Sequence, residues 1–216
     1  EDSVMKITRA LPALLVAGIF LGGQTMAIET PGYTVVYEEG EVEYRQYEAY
    51  LVAETVVVGD VAYKASGNEG FRRLFRYITG ANTANQSIAM TSPVSRELTS
   101  EKIAMTAPVA RRPAGAGEAV AFMLPAQYSL ATAPQPSDER VKLREVPARL
   151  MAVVRYSGRW TDANYLEHKN MLLTALADTN TETLGESQSA LYDAPYVPWF
   201  LRRNEVMIEV RDLPVQ

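Results

Sequence analysis

Residues 42–59 and 141–158 align without a gap at an offset of 99 positions. Six of the eighteen pairs are identical (Val42/Val141, Arg45/Arg144, Ala49/Ala148, Leu51/Leu150, Ala53/Ala152 and Gly59/Gly158), where chance gives about one. An internal duplication of this kind constrains the fold more than any composition does, because whatever one copy forms the other forms too. Each copy reads as a strand, a turn at its glycine and a helix. Residues 49–58 are rich in Val and Thr, and residues 151–156 repeat that character, which suits a pleated, half-buried surface. After the first copy Phe71, Leu74, Phe75 and Ile78 recur at helical spacing and stop at Gly80; after the second, Tyr165, His168, Leu172, Ala175 and Leu176 do the same. Both patterns predict amphipathic helices. The short apolar runs 119–124 and 206–210 predict further strands. The expected fold is α+β: two similar β-helix-β units, about residues 33–110 and 119–210, sharing a mainly antiparallel sheet that buries one face of each helix.

A shorter repeat lies between the units. Ile88-Ala89-Met90-Thr91-Ser92-Pro93-Val94-Ser95-Arg96 returns fifteen residues later as Ile103-Ala104-Met105-Thr106-Ala107-Pro108-Val109-Ala110-Arg111, with seven of nine positions identical. A proline in each copy predicts edge segments or a hairpin rather than a central strand.

The N-terminus reads as an export signal. Lys6 and Arg9 follow Met5, then an apolar run at 10–22, then Gly23-Gln24-Thr25-Met26-Ala27, with small residues where a cut after Ala27 needs them. The run has thirteen residues, broken by Pro12 and glycines, against the roughly 20 that span a bilayer. Residues 1–27 are therefore expected to be a cleaved signal, with residues 1–4 a start-site extension, and residues 28–216 one domain, periplasmic or secreted and not inserted in a membrane. The chain has no cysteine, which excludes disulfides, thiol chemistry and a lipid-modified N-terminal Cys. A net charge of −5 without a Lys/Arg block argues against nucleic acid as a partner.

Three features bear on a ligand. Residues 192–200 hold four aromatics and two prolines, which either present rings to a flat apolar ligand or fold over the core. Arg72, Arg73 and Arg76 lie beside Phe71 and Phe75 on the first predicted helix, where they either grip carboxylates or form a solvated basic face. His168, the one histidine, falls on the apolar stripe of the second helix, as a metal or haem-iron ligand or as a core residue. Met90, Met105 and Met123 are soft ligands or packing. Recognisable catalytic motifs are missing. Glu205, in Arg202-Arg203-Asn204-Glu205, reads as an ion-pair partner of the last strand, or as a general base if its pKa is raised.

Several segments together resemble the SOUL/haem-binding protein family: Gly70-Phe71-Arg72-Arg73-Leu74-Phe75-Arg76-Tyr77-Ile78, both Ile-Ala-Met-Thr-x-Pro-Val copies, Phe122-Met123-Leu124-Pro125, Pro134-x-Pro136-x-Asp138 and Arg202-Arg203-Asn204-Glu205-Val206. The resemblance implies a distorted antiparallel β-barrel flanked by two helices, built from a duplicated β-α-β-β unit and related to bacterial effector-binding domains. It also implies non-covalent binding of haem or another tetrapyrrole in an apolar groove beside the first helix. Carried over, the groove falls on Phe71, Phe75 and Arg76, with the Pro198-Trp199 loop nearby; Arg72 and Trp199 complete the expected contacts, and His168 is the candidate iron ligand. Where some similar vertebrate members carry a histidine, this chain has Gln46, so iron ligation from that position is excluded. The expected role is sequestering or carrying the tetrapyrrole. A module for other amphiphilic molecules and a hydrolase using Glu205 are the alternatives.

Overall fold

The computed structural model describes residues 28–59, 63–84 and 100–214. The expected signal and the first Ile-Ala-Met-Thr-Ser-Pro-Val copy lie outside them. In chain order the elements are β1 (Tyr33–Glu39), β2 (Val42–Tyr47), β3 (Tyr50–Val58), α1 (Tyr63–Ile78), β4 (Asn82–Thr83), β5 (Val109–Ala114), β6 (Gly117–Met123), β7 (Gln135–Pro136), β8 (Val141–Val146), β9 (Arg149–Tyr156), α2 (Asp162–Asp178), β10 (Thr183–Leu191), a 3-10 turn (Trp199–Leu201) and β11 (Asn204–Val210).

Each eighteen-residue repeat is a two-stranded hairpin, not one strand: β2 and β3 in the first copy, β8 and β9 in the second. Both copies end on a glycine with positive φ, 116° at Gly59 and 121° at Gly158, a conformation that a side chain strongly disfavours. That explains the identity of this pair across the duplication.

Among the described residues nine strands form one antiparallel sheet in the order β1-β2-β9-β11-β10-β5-β6-β3-β8. Leaving β1 aside, the order is a palindrome about the β10–β5 contact. The hairpins exchange partners: β2 pairs with β9, and β8 with β3. Tyr44 faces Ala152; stepping 99 positions forward from the first and back from the second reaches Leu143 and Ala53, which also face each other. The sheet thus carries the duplication as a twofold pseudo-axis, at whose centre Arg111 pairs with Ser189. In this arrangement β6 holds the place that β11 holds in the other half, so it closes the first unit instead of opening the second.

The proline of the second short repeat stands one residue before β5 and costs the ladder no hydrogen bond. β5 itself is central, between β6 and β10, and the edge reading fails for that physical reason.

The helices pack on the sheet as expected. Leu74, Tyr77 and Ile78 of α1 join Leu51, Ala53, Val120 and Phe122 in one core cluster. Leu172 and Leu176 of α2 join Ala152, Val154, Val206 and Ile208 in another. Among the described residues no helix is long and apolar enough to cross a membrane. Leu74 and Leu172 are both fully buried and occupy equivalent places in the two halves. Leu74→Ala and Leu172→Ala should each lower the unfolding free energy by about 2–5 kcal/mol, read as a fall in the urea midpoint with an unchanged slope.

Candidate functional site

The two helices are equivalent in place but not in the side chains they turn toward the pseudo-axis. Aligning the buried pair Leu74/Ile78 with Leu172/Leu176 sets Gly67 opposite Tyr165, Gly70 opposite His168 and Phe71 opposite Lys169. A Cβ at Gly70 would stand 2.5 Å from Val120 Cγ2, and one at Gly67 2.9 Å from Arg111 Cζ. The two glycines therefore let α1 lie close on the sheet and on the Arg111 guanidinium. On α2 the corresponding place holds Tyr165, whose hydroxyl lies 2.9 Å from Ser187 Oγ.

Phe71 separates two concavities. The first, about 510 Å³ and open to solvent, runs over the outer face of α1 and is lined by Glu69, Phe71, Arg72, Arg73, Phe75, Arg76 and Arg140. The Phe71 and Phe75 rings stack nearly parallel, with centroids 5.8 Å apart and planes 13° from each other. Phe71 also meets Phe122 edge-on at 5.2 Å, which ties the pair to the core, while Phe75 stays 46% exposed. The surrounding cations differ in freedom. Arg73 forms an ion pair with Glu69 and donates to the Val56 carbonyl at 3.1 Å. Arg140 holds Asp138 at 2.8 Å, and its hydrogen bonds keep that carboxyl well below the usual carboxylate range. Among the described residues neither Arg72 nor Arg76 is ion-paired with a carboxylate; Arg72 Nε donates to its own helix, to Asn68 O at 3.2 Å. Four arginines line the groove with Glu69, and Asp138 is paired with Arg140 beside it, so the balance is cationic, and two of the four are available to an incoming anion.

The second concavity lies on the other side of Phe71. It is about 220 Å³ and mostly apolar, walled by Gly67, Met105, Val109, Trp160, Leu191 and Pro195, with Arg111 alongside. Arg111 is ion-paired with Glu118.

Four of the six expected site residues, Phe71, Arg72, Phe75 and Arg76, line one groove. Trp199 and His168 line neither concavity. Trp199 sits on the 3-10 turn, its ring half-exposed under Arg159 at 5.7 Å. His168 stacks on Tyr156 of β9, with centroids 4.1 Å apart, and its Nδ1 lies 2.7 Å from Asn164 O. The aromatic tract divides: Tyr192 to Pro195 wall the apolar cavity, while Tyr196, Trp199 and Phe200 point to solvent. Arg140 and Trp160 were not anticipated. The motif ending at Asp138 stops two residues short of Arg140, and nothing in the spacing of Trp160 links it to α1. Among the described residues no cluster of three His, Asp or Glu side chains is placed to hold a metal ion.

Glu205 is fully buried. Its carboxylate accepts from Arg45 Nη1 at 3.0 Å, from the Tyr192 hydroxyl at 2.8 Å and from Arg203 Nη2 at 2.7 Å. Arg45 in turn lies over the Tyr33 ring at 4.5 Å and donates to the Tyr47 hydroxyl at 3.2 Å. Glu205 lines neither concavity and serves as the anionic centre joining β2, β11 and the segment at Tyr192. Burial pushes the Tyr47 phenol up to about 12, against the opposing pull of its hydrogen bond from Arg45. Burial raises Tyr192 as well, with the Glu205 carboxylate beside it adding to the effect.

A family model described as SOUL heme-binding protein matches residues 28–209. Among curated proteins, heme-binding protein 1 of Mus musculus is 29% identical over 155 residues, 71% of this chain and 76% of the mouse protein. Heme-binding protein 1 of Xenopus laevis is 28% identical over 164 residues, 76% of this chain and 80% of the frog protein. Among solved structures, the C-terminal domain of EcmrR is similar with a TM-score of 0.52 and 11% identity, over 84% of this chain and 99% of that domain. EcmrR in its complex with DNA gives a TM-score of 0.55 and 9% identity, over 80% of this chain and 57% of that one. At such identities the likeness is one of fold, an antiparallel sheet curled into half a barrel with two helices.

The buried phenols make the fold sensitive to alkali. Since the Tyr47 phenol titrates near 12 when folded and near 10 when unfolded, its contribution is complete below pH 10 and is lost as pH rises toward 12. One such group adds at most about 1.4 kcal/mol of destabilisation per pH unit in that window. Urea midpoints measured from pH 9 to 12 should fall less steeply in Tyr47→Phe than in the parent.

Proposed function

We propose, from the premise that the chain belongs to the SOUL heme-binding protein family, that it binds haem or a related tetrapyrrole non-covalently on the outer face of α1. The observation that carries this reading is the near-parallel Phe71/Phe75 pair set in a groove with Arg72 and Arg76. A porphyrin is a flat apolar disc with carboxylates on one edge. Stacked rings suit the disc, and guanidinium groups suit the carboxylates through charge-assisted, forked hydrogen bonds. The groove volume of about 510 Å³ falls in the ordinary range of small-molecule sites, about 300–1,000 Å³.

The residues present fit the organic part of haem better than its iron. Among the described residues no histidine, methionine or tyrosine lines the groove, and His168 of the other helix is engaged with Tyr156 and Asn164. In this reading the chain holds the ligand by ring contact and ion pairing, and iron-free porphyrin serves as well as haem. The role is that of a binding protein, sequestering or carrying the tetrapyrrole, and not of an enzyme: Glu205, the candidate base, has its oxygens taken up by Arg45, Arg203 and Tyr192. A general amphiphile-binding module is the other reading. A carboxylate-lined pocket would favour cationic ligands, whereas this groove is lined chiefly by arginine.

The pattern at residues 5–27 supports export, with the mature protein periplasmic or secreted. Mass spectrometry of the protein recovered from its cells should find Ile28 as the first residue; an intact N-terminus would remove this part of the proposal.

For the ligand, visible absorption titration with ferric haem and fluorescence titration with iron-free protoporphyrin should both saturate at one equivalent. Phe75→Asp and the double change Arg72→Glu/Arg76→Glu should each weaken binding by about tenfold or more, the energy of one good charged contact. His168→Ala should bind as the parent does. Unchanged affinity in both groove variants would sink the assignment.

A further inference from the structure

The 3-10 turn Trp199–Leu201 and the residues before it form the most exposed apolar feature among the described residues. Tyr196 is 89% exposed, Trp199 49%, Phe200 57% and Leu201 66%. Soluble proteins scatter single apolar residues over their surfaces, but a run of large ones at a single projecting tip marks an interaction site.

The tip is also held rigid. Leu201 N donates to Pro198 O at 2.9 Å and Val197 N to Ala194 O at 3.0 Å. Arg202 clamps the loop from below, donating to Val197 O at 2.9 Å and Pro195 O at 2.6 Å. Gly158 N donates to Trp199 O at 3.0 Å, which fixes the turn to the segment that follows β9. The side chains are thus presented outward by a backbone whose hydrogen bonds are already made, so little ordering is left to be done on contact.

Charge decides between the possible occupants. The whole chain carries −5, yet the two segments that make this tip, residues 155–160 and 194–203, contain four arginines and no carboxylate, with Asp162 and Asp193 just outside them; Arg203 is ion-paired with the buried Glu205, which leaves Arg155, Arg159 and Arg202. Arg159 lies over the Trp199 ring at 5.7 Å and Arg202 over the Trp160 ring at 4.4 Å, which places cations at the base of the apolar tip. Aromatic and leucine side chains ahead of a collar of arginines match the layering of an anionic bilayer, in which apolar groups enter the acyl boundary and cations meet the phosphates. A second copy docking tip to tip would instead bring the arginines of the two tips against each other, like charge facing like charge.

We propose that residues 196–201 are a docking tip for anionic phospholipid surfaces, seated by Trp199, Phe200 and Leu201 with Arg159 and Arg202 on the headgroups. The assignment stands apart from the tetrapyrrole reading, whose groove lies on the other side of Phe71. The chain runs from the tip directly into Asp193, Ala194 and Pro195, which wall the apolar cavity beside Phe71.

The test uses the purified protein with vesicles of phosphatidylcholine alone or mixed in roughly equal parts with phosphatidylglycerol. Tryptophan emission should be quenched by lipids brominated on the acyl chain in the mixed vesicles, and this quenching should disappear in Trp199→Phe, a change that leaves Trp160 in place. Cosedimentation with the mixed vesicles should fall by about tenfold in Phe200→Ser/Leu201→Ser, with far-ultraviolet circular dichroism unchanged. Quenching that is absent, or that persists in Trp199→Phe, would overturn the proposal. So would a concentration-dependent dimer that the serine changes abolish, since the occupant would then be a second copy. Haem affinity measured without vesicles should be the same in the serine variant, so failure here and failure of the ligand assignment are told apart.

Discussion

The exchange of strands between the two hairpins is the constraint on which the rest of the molecule depends. Because β2 pairs with β9 and β8 with β3, neither repeat can satisfy its backbone alone, and each supplies a strand to the other's sheet. Unpaired strand edges expose polar groups that burial would make costly, so the two halves are bound to fold as one sheet. β10 and β5 then meet at the centre, and both helices land on the sheet in equivalent places. Across β2, β11 and the Tyr192 segment, a buried carboxylate fastens the structure: Glu205, with Arg45 and Arg203 on its oxygens. Such a group is expensive to desolvate and tolerable only when each oxygen is occupied. That condition is met here.

Symmetry built the scaffold; departure from it made the groove. Gly67 and Gly70 allow α1 to sit close against Arg111 and Val120, while Tyr165 and His168 occupy the matching places on α2. Close seating of α1 lets Phe71 reach Phe122 and leaves Phe75 as an exposed continuation of the same stack. A phenylalanine substituted at the Lys169 position would not reproduce this, because Tyr165 and His168 would still fill the space between helix and sheet.

The sequence disclosed the parts of this that depend on pattern within a short window. The offset of 99 residues announced the two halves, and the helical spacing of Leu74, Ile78, Leu172 and Leu176 predicted which faces are buried. The cluster Phe71, Arg72, Phe75 and Arg76 was legible for the same reason, since neighbours on one helical turn share a surface. What escaped were contacts between distant segments. Arg140 reaches the groove from the loop before β8, and Trp160 reaches the apolar cavity from beyond β9; no periodicity connects either to α1. β5 was misjudged because Pro108 was weighed as though it lay within the strand, when its ladder begins at the next residue. Trp199 was drawn toward the groove by belonging to an aromatic tract, yet the bonds from Arg202 to Pro195 and Val197 turn that tract outward halfway along its length.

Net charge shows the same difference between sum and placement. A total of −5 speaks against polyanionic partners such as nucleic acid, because long-range attraction follows the overall field. Within a Debye length of about 8–10 Å, however, a bound group responds to its immediate neighbours. There the outer face of α1 offers Arg72 and Arg76, while Arg73 is occupied by Glu69 and Arg140 by Asp138. An anion reaching this face gains from a local cationic surface on an acidic protein. In the proposed reading a long polyanion, which must extend past the groove onto the acidic remainder, would gain less. In that reading the arrangement would select small anionic ligands by size as well as by sign, and the apolar Phe71/Phe75 pair would narrow the choice to anions with a flat hydrophobic body.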